Sequence, residues 1–120
     1  MKPSTAKSKG AETEEKYVQY LISKGIANAE RRHLKGRFDQ GDIAGWAAPD
    51  RRWNVCVEVK SGAALDIPAW VRELESEMVN ARSEMGFIAV RPKGKPRPED
   101  WWAMMPMELF MELMKKAGYL

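Results

Sequence analysis

The sequence predicts an α/β domain in which helices flank a central mixed sheet. Three observations lead there. Tyr17, Val18, Leu21 and Ile22 recur at helical spacing, and so do Trp70, Leu74, Met78 and Ala81. Between these stripes, Val55, Val57 and Val59 alternate with Cys56, Glu58 and Lys60, a period of two that marks a strand. The remaining turn and breaker residues give the order helix, three strands, helix, strand, followed by a last strand and helix.

Taken in order, residues 1–9 are small, polar and basic, and read as a flexible arm that leaves residues 10–120 as one domain. A helix is expected from Ala11 to Lys24, with Gly25 where a C-cap glycine belongs. A short strand is expected over 27–33, a turn over 38–41 and a second strand over 42–46. The clearest strand runs from Trp53 to Ser61 and stops at Gly62. Asp66 and Pro68 are helix-start residues for the second helix. Gly86 opens a buried strand over 87–90, and a Pro-rich basic loop fills 91–100. A strand over 101–105 follows, then a helix from Pro106 to Lys116, closed by Gly118.

Composition narrows the function classes. A chain of 120 residues with 44% hydrophobic content supports one domain with a modest core. It has no apolar run near the ~20 residues of a membrane span, and no apolar stretch after the charged N-terminus that would make a signal peptide. The expected location is therefore the cytoplasm of a cell or of a host. Cys56 and His33 are each the single residue of their kind, which removes an internal disulfide and zinc sites built on cysteine or histidine pairs.

The formal net charge is only +3, so the distribution of charge is more informative than its sum. Arg31, Arg32, Lys35 and Arg37 crowd one segment, and Arg91, Lys93, Lys95 and Arg97 another, while acids gather at Glu12–Glu15 and Glu73–Glu84. Such segregation suits a surface with one phosphate-facing side, and it equally suits solvated loops.

The chemistry starts on the period-two strand. Alternation puts Glu58 and Lys60 on one face, ~6.6 Å apart, with the three valines on the other. A carboxylate that holds a hard cation beside an ammonium that orients water suits metal-assisted phosphodiester hydrolysis, although a cross-face ion pair has the same pattern. Asp42, in Gly41-Asp42-Ile43-Ala44-Gly45, can converge with Glu58 on one ion if the two strands pair; otherwise it is a turn aspartate. Glu14 falls inside the apolar stripe of the first helix, ~40° from Val18 and ~20° from Leu21 at ~100° per residue. An inward carboxylate needs a partner, either a basic residue or metal-bound water. Glu12 and Glu15 lie off that stripe and are explained by the positive end of the helix dipole.

Gly41-Asp42-Ile43, followed fifteen residues later by Glu58-Val59-Lys60, resembles the signature of the PD-(D/E)XK nucleases, with Gly41 in place of the usual proline. Within that superfamily the chain is most similar to archaeal and phage-encoded Holliday junction resolvases. Lys9-Gly10 before Glu14, and a helix running to Gly25, match the archaeal pattern. Glu30-Arg31-Arg32, the stretch from Asp39 to Gly45, Trp70 with Glu73 and Glu75, and the basic run Arg91 to Lys95 look like the phage enzymes. The likeness spans roughly residues 9 to 95.

That resemblance implies a restriction-endonuclease-like core in α-β-β-β-α-β order and a Mg²⁺- or Mn²⁺-dependent endodeoxyribonuclease. It implies Glu14, Asp42 and Glu58 as metal ligands, with Lys60 acting on the nucleophilic water. Branched DNA such as a four-way junction becomes the expected substrate, contacted by Lys9, Arg31, Arg32, Lys35, Arg37, Arg91, Lys93 and Lys95. Symmetric cuts in two strands require two sites related by a two-fold axis, hence a homodimer. The archaeal enzymes use a serine in the loop before the aspartate. Leu34-Lys35-Gly36-Arg37 has none, so that role is vacant or passes to Lys35 or Arg37. The alternatives are another nuclease of the superfamily, a restriction enzyme or repair nickase, and a catalytically inactive DNA-binding module.

Other residues get blander readings. Cys56 reads as core and His33 as an ordinary strand-end residue. Met104, Met105, Met107, Met111 and Met114 read as core or subunit contact, and Trp101 and Trp102 as buried or at a dimer seam rather than stacked on bases. Asp39 has no assigned role.

Overall fold

The computed structural model describes residues 5–33, 38–62 and 64–120, with side chains from Gly10 onward. Helix α1 spans Thr5–Ser23, followed by β1 (Glu30–Arg31), β2 (Ile43–Ala44), β3 (Cys56–Ser61), α2 (Ile67–Ala81), β4 (Gly86–Arg91), a 3₁₀ turn (Pro98–Asp100), β5 (Trp102–Met104) and α3 (Met107–Lys116). The chain is thus an α/β protein with a mixed sheet flanked by helices, as the periodicity predicted.

Several boundaries differ: β3 begins at Cys56 rather than Trp53, β1 and β2 keep only two residues each of the strands expected over 27–33 and 42–46, and β5 is confined to Trp102–Met104. Residues 5–9, expected in the arm, have helical backbone, so α1 starts at Thr5 rather than Ala11. Ala6, Lys7 and Lys9 are good helix formers with no proline among them, and their propensity carries the helix across Gly10. Residues 1–4, with the rest of the expected arm, lie outside the described residues.

The sheet has three main strands in the order β3-β4-β5, with β3 and β4 parallel and β4 and β5 antiparallel. The parallel register sets Glu58 beside Ile88 and Lys60 beside Val90. β1 and β2 form an antiparallel ribbon, Arg31 opposite Ile43. Backbone bonds from Asp42 N to Val57 O (2.8 Å) and from Val55 N to Trp46 O (2.7 Å) lay the β2 segment alongside β3.

The alternation in β3 sorts the two faces. Val57, with Val55 and Val59 beside it, packs on Tyr17, Val18 and Leu21 of α1. Cys56 packs on Trp70 and Leu74 of α2, together with Ile88 and Val90 of β4. Burying aliphatic side chains such as Val57, Leu74, Ile88 and Val90 contributes about 1.5–3 kcal/mol each. Asp66 caps α2 as expected, its carboxylate accepting the Ala69 N–H at 3.3 Å. The consequence for function is directional: Glu58 and Lys60 share the face of Cys56 and so look toward α2.

The C-terminal helix behaves differently. α3 has no buried residue and only marginal contact with any other described element. Of the five C-terminal methionines expected in a core or subunit contact, none is fully buried, and only Met104 packs against the core, beside Trp70 and Leu74.

Candidate metal centre on the α2 face of β3

Asp42 reaches the site through a tight approach of the chain to β3. Gly41 has φ +104°, and a Cβ there would sit 2.9 Å from the Val57 carbonyl oxygen. Proline, locked near −65°, cannot adopt that φ, which explains why glycine stands at this point of the motif. Gly45 has φ +85°, and its missing Cβ makes room for the Asn28 carbonyl. Asp39 now has a role. Its Oδ1 accepts the Gly41 N–H at 2.8 Å, and its carbonyl accepts from Asn80 Nδ2 of α2 at 2.8 Å. The turn is thereby pinned to α2. Asp42 is 5% exposed, and its Oδ2 accepts the Val59 N–H at 2.7 Å, which fixes the carboxyl against β3.

Glu58 is also only 5% exposed. Its Oε2 lies 3.3 Å from Lys60 Nζ, and its Oε1 is buried with no hydrogen-bond partner. Lys60 Nζ also bridges Glu73 of α2, at 3.0 and 3.1 Å from the two oxygens. Glu77, one turn further along α2, is 4% exposed and its Oε1 likewise has no partner. Oxygens of Glu58, Glu73 and Glu77 lie within 4.8 Å of one another.

Three carboxylates so close together cannot all ionise cheaply. Burial, then the charge of Asp42, pushes Glu58 up to about 11. Burial raises Glu77 to about 7, with Asp39, Asp42 and Glu73 adding to it against a hydrogen bond to Glu58. For Glu73, burial is outweighed by hydrogen bonds with Glu58 and Lys60, which hold it below the usual carboxylate range. Burial would lower Lys60, but Glu73 and Glu58 together raise it, so it is an ammonium at neutral pH. Buried acidic oxygens without partners are costly, and a hard cation is what satisfies them. The donor set is all oxygen, as Mg²⁺ or Mn²⁺ requires, so the residues present fit the ion.

The other candidates are distributed as follows. Glu14 does point inward, its side chain 14% exposed, but its Oε1 takes the Nε–H of Arg31 at 3.0 Å. The inward carboxylate thus has a basic partner, and neither Glu14 nor Asp42 is among the three clustered carboxylates. Glu12 and Glu15 are exposed, as the helical wheel predicted. Arg32 donates to the Ile43 carbonyl at 3.4 Å. Arg91 binds Glu12 (2.8 Å) and Thr13 (3.1 Å) and lies over the Trp101 ring. Three of the expected DNA contacts are therefore engaged inside the fold, whereas Lys93 and Lys95 are exposed. With Arg91 these two line a groove of about 470 Å³ that also includes Ser61, next to Lys60. Lys35, Arg37 and the side chain of Lys9 lie outside the described residues.

Cys56 is buried and its thiol is pushed up to about 12 by burial, then by Glu77 and Glu58, as befits a core residue. His33 is exposed. Trp101 stacks on Tyr17 at 6.0 Å and donates to the Lys95 carbonyl, so it is not a platform for bases. Trp102 is half exposed.

Sequence reasoning did not assign Glu73 and Glu77 to the site. Glu77 could have been found by the argument applied to Glu14: it stands three residues after Leu74 and four before Ala81, inside the apolar stripe of α2.

Among the described residues no helix is long and apolar enough to cross a membrane. The chain shows no significant match to family models, to curated proteins or to solved structures.

Proposed function

We propose that this chain is a divalent-metal-dependent endodeoxyribonuclease with a restriction-endonuclease-like core, acting on branched DNA such as a four-way junction. The observation that carries this reading is the trio on β3 and its approach turn: Asp42 and Glu58, both buried, beside the Lys60 ammonium, with Glu58 Oε1 unpartnered.

Asp42 and Glu58 would hold Mg²⁺ or Mn²⁺. When bound, the ion supplies Lewis-acid stabilisation of charge developing on the phosphoryl oxygens. Asp42 accepts the Val59 N–H, which would hold its carboxyl in place before ion or substrate arrives. Lys60 remains charged, so it serves as a hydrogen-bond donor that orients water and steadies negative charge, not as a base. Lys93 and Lys95 would meet the backbone phosphates in the groove at the end of β3, which Glu12 and Thr13 of α1 also line.

A symmetric double cut needs two copies, and α3 is the surface suited to pair them. Met107, Phe110, Met111 and Leu113 are exposed on a helix that scarcely touches the body. A helix of this length is marginal alone. Antiparallel pairing of two α3 helices would cover those side chains and set Glu108 of each copy against Lys115 and Lys116 of the other.

The test is a gel assay of four-way junction, flap and linear duplex with Mg²⁺ and with EDTA. Junction cleavage that needs Mg²⁺ and is lost in Asp42→Asn, Glu58→Gln and Lys60→Ala is expected. Equal cleavage of duplex would instead make the protein a restriction or repair nickase. Junction binding without any cleavage would make it a DNA-binding module, and cleavage untouched by EDTA would remove the metal mechanism.

A further inference from the structure

The cation's remaining protein ligands have two possible sources, α1 with Glu14 or α2 with Glu73 and Glu77. Resting on the metal-dependent reading above, we infer that α2 supplies them: Glu77 and Glu73 complete the site with Glu58, and Glu14 has a structural role with Arg31.

Three independent features favour α2. The first is position: Glu58 shares the sheet face of Cys56, which packs on Trp70 and Leu74 of α2, while α1 covers the valine face. The second is proximity, since the carboxylate oxygens of Glu58, Glu73 and Glu77 lie within 4.8 Å of one another. The third is unmet bonding. Glu58 and Glu77 are at least nine-tenths buried, and beyond the carboxyl groups of the cluster itself each has an Oε1 with no partner. Buried carboxylate oxygens left without a donor are rare in folded proteins, and a shared hard cation supplies what both lack.

Glu14 is differently placed. Its Oε1 takes the Arg31 Nε–H at 3.0 Å, a charge-assisted bond that ties α1 to β1. Glu73 has a second task, because both its oxygens contact Lys60 Nζ, the group proposed to orient water. The α2 carboxylates would therefore bind the ion and hold the lysine in place together.

Mn²⁺ is the probe, used on the full-length protein without DNA. Binding is measured by electron paramagnetic resonance and calorimetry, with circular dichroism verifying the fold of each variant. Glu77→Gln should weaken Mn²⁺ binding about tenfold or more, because one charged ligand is removed, and Glu14→Gln should change it less than about twofold. In the wild-type protein, Mn²⁺ should broaden the amide signals of residues 58–60 and 73–77 most strongly, a measurement that needs no variant. Wild-type affinity in Glu77→Gln, or broadening centred on Glu14 and Arg31 with α2 left sharp, would overturn the inference. Should junction cleavage persist in that event, the nuclease reading stands while the α2 ligands fall. If Mn²⁺ binds at α2 but no DNA is cleaved, the nuclease reading fails instead. No binding of Mn²⁺ by the wild-type protein would sink both.

Discussion

Replacing Glu77 with glutamine should stabilise the metal-free protein at pH 8 and leave it nearly unchanged at pH 4. Burial is the main cause that lifts Glu77 from 4.5 to about 7, and the nearby negative charges add to it. In the unfolded chain the same carboxyl ionises near its ordinary value. Between these two values the native state holds the extra proton, so its stability falls as pH rises and the loss is complete above about 7. At about 1.4 kcal/mol for each pH unit, the full effect would be about 3.5 kcal/mol. Glu73 beside it is open to water, which screens the cluster and reduces the figure to roughly 1–2 kcal/mol. Glutamine has no proton to lose and escapes this loss. In EDTA at pH 8 the variant should therefore melt roughly 4–8 °C above the wild-type protein, and at pH 4 the two should coincide. Mn²⁺ should narrow or cancel the difference, since at about 100 times the wild-type Kd it stabilises the wild-type protein by about 2.7 kcal/mol and a variant that binds tenfold more weakly by about 1.4 kcal/mol. Thermal unfolding followed by circular dichroism at both pH values is the assay. A Glu77→Gln variant that melts at or below the wild-type temperature at pH 8, or that gains equally at pH 4, would refute the reasoning.

Three further outcomes are expected. Gly41→Pro, although it restores the residue usual in the resembling motif, should destabilise by about 3 kcal/mol or more, because φ is +104° and the Gly41 N–H is bonded to Asp39; urea denaturation measures this. Changing Lys93 and Lys95 to alanine should lower the salt dependence of DNA binding by roughly one unit of slope per lost phosphate contact, and an unchanged slope would leave these lysines as solvated loop residues. Phe110→Glu with Met111→Glu should yield a monomer in analytical ultracentrifugation, with secondary structure outside α3 intact, whereas a wild-type protein that is itself monomeric would remove the dimer.

Much of this molecule is legible before any coordinates. The period of two in Val55–Lys60 decided a strand and which residues share its face, because side-chain direction in a strand is a local property. The same holds for the helical stripes, for the Asp66 cap, and for the inward turn of Glu14 against the outward turn of Glu12 and Glu15. Partner identity is not local. The sequence showed that Glu14 needs a partner, but only the tertiary structure could choose Arg31 from β1 over a metal. Likewise Arg91 read as a free cation, until the β4 end met α1 and delivered it to Glu12 and Thr13.

The candidate metal centre divides the same way. Asp42, Glu58 and Lys60 were visible because they fall within one short motif, whose spacing along the chain maps onto spacing across paired strands. Glu73 and Glu77 stand thirteen and seventeen residues beyond Lys60, and although the apolar stripe of α2 shows that Glu77 turns inward, nothing in it tells which face of the sheet α2 covers. That choice follows from the parallel crossover from β3 through α2 to β4, which lays α2 on the Cys56 face and so brings its two glutamates to Glu58. The sequence by itself determined the main elements and that Glu58 and Lys60 share one face of β3. The packing of α2 against that face decided which further carboxylates join it, because convergence in space is a property of the fold and not of any segment.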